Sequence, residues 1–201
     1  MASEVEICNL ALARLGDDAT VSALTPPEGS AQAGYCARFY PMARDSLLEM
    51  HPWKFATRRA HLSPSSAPAW DWQFAYAQPS NTLRILAVLN PNAATEDESQ
   101  PYESEIDVAG NQIILTDVDK ASIRYITRVT DTTKFSPLFT DALSWLLASN
   151  LAGPVLKGDA GAAEAKRCMQ TFNMLMGAAR VSDANQRKDR DQHTPNWIGG
   201  R

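Results

Sequence analysis

The side chains able to act as ligands, nucleophiles or acid–base groups are few and scattered in this chain. Its histidines, His51, His61 and His193, lie in different contexts, and its cysteines are Cys8, Cys36 and Cys168. His51 could act with Asp45 or Glu49 of the preceding helical pattern as a metal ligand or general base. It precedes Pro52-Trp53 at a helix end, where histidine commonly caps carbonyls, and capping is the role expected. Asp117/Asp119 and Glu103/Glu105/Asp107 repeat every second residue, the period of one strand face. They read as a solvated face rather than a carboxylate acid–base pair. The cysteines sit among apolar residues and are odd in number, so they read as small buried thiols and not as a disulfide framework. Gly-rich phosphate loops, His-Glu-x-x-His, Cys-x-x-Cys and Gly-x-Ser-x-Gly do not occur. The expectation is a protein that is not an enzyme, with no metal and no cofactor.

Composition narrows the partners. With 44% hydrophobic and 21% charged residues, the 201-residue chain has the balance of a soluble globular protein, one domain or a domain with an insertion. A net charge of −4 argues against a main task of gripping nucleic-acid phosphates, because that affinity comes from Lys and Arg displacing counterions. Arg58-Arg59 and Arg187-Lys188-x-Arg190 are short basic clusters that read as solvated surface. No apolar run reaches the length of a membrane span, and Met1-Ala2-Ser3-Glu4-Val5-Glu6 is acidic where a signal peptide would be basic. A soluble, cytosolic chain with no membrane contact is expected.

Periodicity then supplies the elements. Val5, Cys8, Leu12 and Leu15 form a helical stripe over 4–16, with Ser3 as N-cap and Gly16 as stop. A second helical pattern runs from near Glu28 to Met50, and Pro41 within it predicts a bend or two abutting pieces. From His61 onward the chain turns β-branched and aromatic, predicting strands at 72–77, 82–89, 102–108, 111–116 and 121–129. In this reading Trp70 and Trp72 share one side of a strand, and Ala109-Gly110-Asn111 turns a hairpin. Helical patterning resumes at Pro137 until Gly153-Pro154, and a last helix carries Ala165, Cys168, Met169, Phe172, Leu175, Met176 and Ala179, with Gly158 and Gly161 opening it for close helix approach.

The expected fold is therefore α+β: a bundle of about four helices from residues 1–62 and 131–182, a small antiparallel β-unit inserted at 63–130, and an extended C-terminal arm at 183–201. Trp53 and Phe55 should pin the chain leaving the second helix to the core, and Pro41 should shape that helix. Beyond about Ser182 the apolar stripe is lost. Trp197 has nothing local to bury against and reads as an interface anchor, with Ile198 beside it and Arg187, Lys188 and Arg190 supplying charge. Charge is also divided along the chain: residues 65–130 carry nine Asp/Glu against four Lys/Arg.

Several stretches together resemble one known family. These are Ile7-Cys8-Asn9-Leu10-Ala11-Leu12-Ala13-Arg14-Leu15-Gly16, Tyr40-Pro41-x-x-Arg44-Asp45-x-Leu47-Leu48, and His51-Pro52-Trp53-Lys54-Phe55-Ala56. Further along come Tyr76-Ala77-Gln78-Pro79, Ile123-Arg124-Tyr125-Ile126 with Val129-Thr130-Asp131, and Phe135-Ser136-Pro137-Leu138-Phe139. In order and spacing they resemble the tail tubular protein A family of bacteriophage head-to-tail adaptors, over roughly residues 4–180. That resemblance implies a structural virion protein at the head-tail junction, made in the host cytoplasm. It implies a ring of copies of itself, usually dodecameric, that joins the portal protein to a tail nozzle or tail tube protein. Genomic DNA would pass through the channel without sequence-specific binding, and the C-terminal segment would reach toward the portal. Two other readings compete with it: a virion-associated hydrolase using His51 and nearby carboxylates, and a small helical regulator or nucleic-acid binder.

Overall fold

The structure, a computed structural model, describes residues 2–91, 93 and 98–186. Helix α1 is Glu4–Arg14, opened by a capping box in which the Ser3 hydroxyl accepts the Glu6 N–H and the Glu6 carboxylate accepts the Ser3 N–H. Just beyond its C-terminus, Gly16 adopts φ +74°, a left-handed conformation that costs glycine little. Helix α2, Ala31–Met50, is capped by Ser30 and is one continuous element with Pro41 inside it, so of the two expected outcomes, a bend or two abutting pieces, the second does not occur. Helix α3, Pro137–Leu156, starts with the Ser136 cap and proline in its first turn. It runs three residues past Gly153 before Lys157, at φ 58°, turns the chain into helix α4, Gly158–Ala184.

Helix α3 is the hub. It packs against α4, α1 and α2, whereas α1 and α2 touch each other little. Its burial extends around most of its circumference, from Phe139 through Ala142, Leu143, Leu147 and Leu151, as expected of a helix enclosed by neighbours. At Gly161 the approach of α4 is so close that a Cβ would lie 2.8 Å from the Ala152 carbonyl oxygen. The small residue read from the sequence as a contact point is thus required there.

Among the described residues seven strands form two antiparallel sheets. Strands β1 (Thr57–His61), β4 (Thr82–Leu89) and β7 (Ser122–Thr127) make the first, in the order β1-β7-β4. Strands β2 (Ser63–Pro64), β3 (Phe74–Ala77), β5 (Tyr102–Ile106) and β6 (Gln112–Thr116) make the second, in the order β2-β3-β6-β5. The β5–β6 hairpin turns with Gly110 at φ +85°, and Asp107 accepts the Ala109 and Asn111 amides. β1 has no alternating pattern; it becomes a strand because β7 pairs with it, Thr57 opposite Ile126 and His61 opposite Ser122. Trp70 and Trp72 do not share a strand face as expected. Trp70 sits in a turn at φ 50° and is largely exposed, and β3 begins only at Phe74.

These strands correct the expected architecture. The α+β class stands, with four helices and two antiparallel sheets, but a four-helix bundle carrying a small β-unit does not describe it. The first sheet is buried on both faces. Ile126, with Leu83 and Leu86 packed against the same cluster, belongs to the helical core. From the same strands Ile123, Tyr125 and Val88, with Ile85, meet Tyr76 and Ile114 of the second sheet in a separate core. The order of layers is thus helices, first sheet, second sheet, and the helical core is closed in part by β residues. Excising 65–130, which the bundle reading would have allowed, removes Ile126 and Val129 from that core. The helix α4 also includes Asp183 and Ala184, which had been assigned to the arm.

Candidate functional site

The joint between α2 and β1 is where the chain concentrates unusual side-chain chemistry. Proline at 52 disfavours helical geometry at the residue before it, and His51 is extended at φ −148°, ψ 144°, ending α2. Trp53 then folds back beneath the helix end. Its indole N–H donates to the Leu47 carbonyl oxygen at 2.8 Å, satisfying one acceptor that a helix C-terminus leaves open. The ring is 1% exposed, meets Phe139 edge-on at 5.0 Å, and stacks on Phe55 at 6.1 Å. Phe55 in turn contacts Phe135 and Phe139. The Trp53 and Phe55 pinning read from the sequence is therefore present, and its partners are the residues that open α3. Pro41 lies exposed within α2, away from this joint.

The same joint holds the end of α4. Asp183 is buried, and its two carboxylate oxygens accept the Lys54 N–H at 3.0 and 3.2 Å. Its Oδ2 lies 3.3 Å from His51 Nε2. An acidic side chain in the last turn of a helix opposes the helix dipole, so Asp183 needs such partners to be tolerated. Burial holds the His51 pKa below the usual histidine value; Asp183 pulls it up less strongly, while Arg180 and Lys54 add to the lowering. His51 Nε2 faces the Asp183 carboxylate. Its partner is therefore neither Asp45 nor Glu49, and carbonyl capping of α2 is done by Trp53 instead.

Asp45 is engaged elsewhere. It accepts from Arg44 at 2.8 Å and from Arg128, just after β7, at 2.7 Å, tying α2 to the first sheet. Arg84 of β4 reaches the Glu49 carbonyl oxygen at 3.3 Å, a cation at the helix C-terminus. At the opposite side of the helical core, Arg14 stacks over Trp145 at 4.1 Å and bonds Asp141 and Ser144. Arg167 of α4 lies 5.5 Å from the same ring and pairs with Glu164. One aromatic ring thereby joins cations from two helices.

The cysteines are buried and free. Cys8 is pushed up by its contact with Cys36 and by burial, and Cys168 by burial, while the same contact pulls Cys36 down. Glu103 and Glu105 are exposed on β5, and Asp117 accepts the Gln73 N–H. Among the described residues no three His, Cys, Asp or Glu side chains converge as a metal site. No helix among them is long and apolar enough to cross a membrane. Arg187, Lys188, Arg190, Trp197 and Ile198 lie outside the described residues. Sequence reasoning missed Asp183 as an anchor; its signal was an unpaired acid at the C-terminal end of the cleanest helix. No protein-family model matches the chain, and no curated protein is significantly similar to it in sequence.

Proposed function

We propose that this chain is a bacteriophage head-to-tail adaptor, a ring-forming structural protein that joins the portal to the tail and leaves a channel for the genome. The observation that carries the reading is where the resembling stretches lie. Residues from His51-Pro52-Trp53-Lys54-Phe55 and from Phe135-Ser136-Pro137-Leu138-Phe139 meet in one aromatic joint. The Tyr40-Pro41-x-x-Arg44-Asp45 stretch contributes the carboxylate that Arg128 grips. Motifs far apart in sequence thus supply packing and ion-pair contacts between elements, as a shared scaffold requires. Acidity suits such a task, since a strongly basic channel would retain DNA.

In this reading the arm beyond α4 is the portal-docking element, with Trp197 and Ile198 as anchors and Arg187, Lys188 and Arg190 as its charge. The α4 terminus that launches it is fixed by Asp183 to the α2–β1 joint, so the arm starts from a defined point. Deleting residues 185–201 tests this. The truncated chain should melt within a few degrees of the full chain yet bind portal-bearing capsids at least tenfold more weakly. Unchanged binding would assign docking to another surface.

A further inference from the structure

The second sheet carries an open cleft of about 740 Å³ beside β2 and β3, within the size range of small-ligand sites. Phe74 and Ala67 supply apolar wall over the buried Leu62 and Tyr76, Gln73 lines it from the β2–β3 connection, and Asp119 and Lys120 contribute opposite charges. Both Ala67 and Phe74 are partly exposed and Gln73 is exposed, so apolar surface faces solvent at this point. The adaptor reading does not use this cleft.

We infer that the cleft is the resting site of the chain's own C-terminal arm, with Trp197 and Ile198 seated against Phe74 and Ala67. The inference concerns the free subunit and stands independently of what the arm later binds. Reach is the first support. Asp183 is bonded to the Lys54 amide, and Lys54 is seven residues before His61 at the cleft edge, no more than roughly 24 Å of chain. The α4 end turns through Gln186, and from there to Trp197 the chain has eleven residues, which extend to roughly 38 Å. The arm therefore spans the distance within one molecule.

Chemistry is the second support. After Val181 the only large apolar residues are the adjacent Trp197 and Ile198, a pair that needs a concave apolar surface to leave water. Charge is matched over the region rather than at the cleft, where Asp119 and Lys120 offset each other: residues 187–190 are Arg-Lys-Asp-Arg, while residues 65–130, which form most of the β region, carry nine acids against four bases. Tethering makes a modest contact sufficient. A short flexible linker gives an effective concentration in the millimolar range, so a site with an intrinsic Kd near ~0.1 mM would be mostly filled. A stowed arm would hide its aromatic anchor until a partner with higher affinity withdrew it.

Fluorine NMR of the full chain labelled with 5-fluorotryptophan tests this, with Trp197 assigned through Trp197→Phe. Expected is a Trp197 resonance displaced from that of a free peptide of residues 187–201, independent of protein concentration. Ala67→Arg, or Gln73→Arg at an exposed lining position if the first variant folds poorly, should return it to the free-peptide position. A wild-type resonance already at the free-peptide position, or one unmoved by both cleft variants, would overturn the proposal. So would a displacement that disappears on dilution, because the arm would then sit on a second copy.

Discussion

Trp53→Ala should be the most damaging single substitution at the α2–β1 joint. The ring is 1% exposed, and a buried tryptophan removes roughly 150–250 Å² from water. At about 25 cal/mol per Å² this is ~5 kcal/mol, reduced to ~3–4.5 kcal/mol when residual burial in the unfolded chain is allowed for. The lost indole bond leaves the Leu47 carbonyl oxygen unsatisfied, adding ~1 kcal/mol or more. A total of ~4–5 kcal/mol agrees with large-to-small core substitutions of this kind and is a large share of a domain's stability. Urea denaturation followed by far-ultraviolet circular dichroism reads it directly. With a slope near ~2 kcal/mol/M, the midpoint should fall by about 2 M. Trp53→Phe keeps most of the ring contact but loses the donor, and should cost only ~1–2 kcal/mol. A Trp53→Ala midpoint within 0.5 M of wild type would refute the aromatic joint as a stabilising element.

Three further substitutions probe separate contacts. Gly161→Ala places a methyl 2.8 Å from the Ala152 carbonyl oxygen; despite alanine's better helix propensity it should destabilise by ~1–3 kcal/mol, and an increase in Tm would contradict the close α3–α4 packing. Tyr40→Phe removes a buried hydroxyl that has no protein hydrogen-bond partner and should be neutral or stabilising by up to ~1 kcal/mol, checked by the same denaturation. His51 should make stability depend on pH. Its folded pKa lies below the ordinary value, so its contribution is complete above about pH 6.5 and is lost as pH falls through the folded pKa, the unfolded chain binding the proton first. Proton NMR titration should place His51 below pH 6.5, and Asp183→Asn, which removes the opposing carboxylate, should lower it further; a value above 6.5 would reverse the assignment of causes.

Local signals were the ones legible in sequence. Ser3 as N-cap, the Cys168-Phe172-Met176-Ala179 stripe of α4, Gly161 as a contact point and the inward turn of Trp53 all depend on neighbours a few residues away or on a helix period. What was not legible depended on remote partners. Strand β1 reads Thr-Arg-Arg-Ala-His and exists through its pairing with β7, more than sixty residues later. Asp183 meets Lys54 across a separation of 129 residues, so neither helix periodicity nor charge pattern could link them. The two-sided burial of the first sheet, which overturned the inserted-unit reading, is likewise a product of tertiary packing: Ile123 and Ile126 of one strand serve different cores. Trp70 escaped because a positive φ at a non-glycine residue carries no sequence signature.

Electron microscopy of the purified full chain mixed with a bacteriophage portal protein tests the proposed function most directly. Expected is a closed ring of copies of this chain, matching the portal's rotational symmetry and seated on one end of it with an open axial channel. Monomers that leave the portal bare at micromolar concentrations of both proteins would contradict the adaptor assignment.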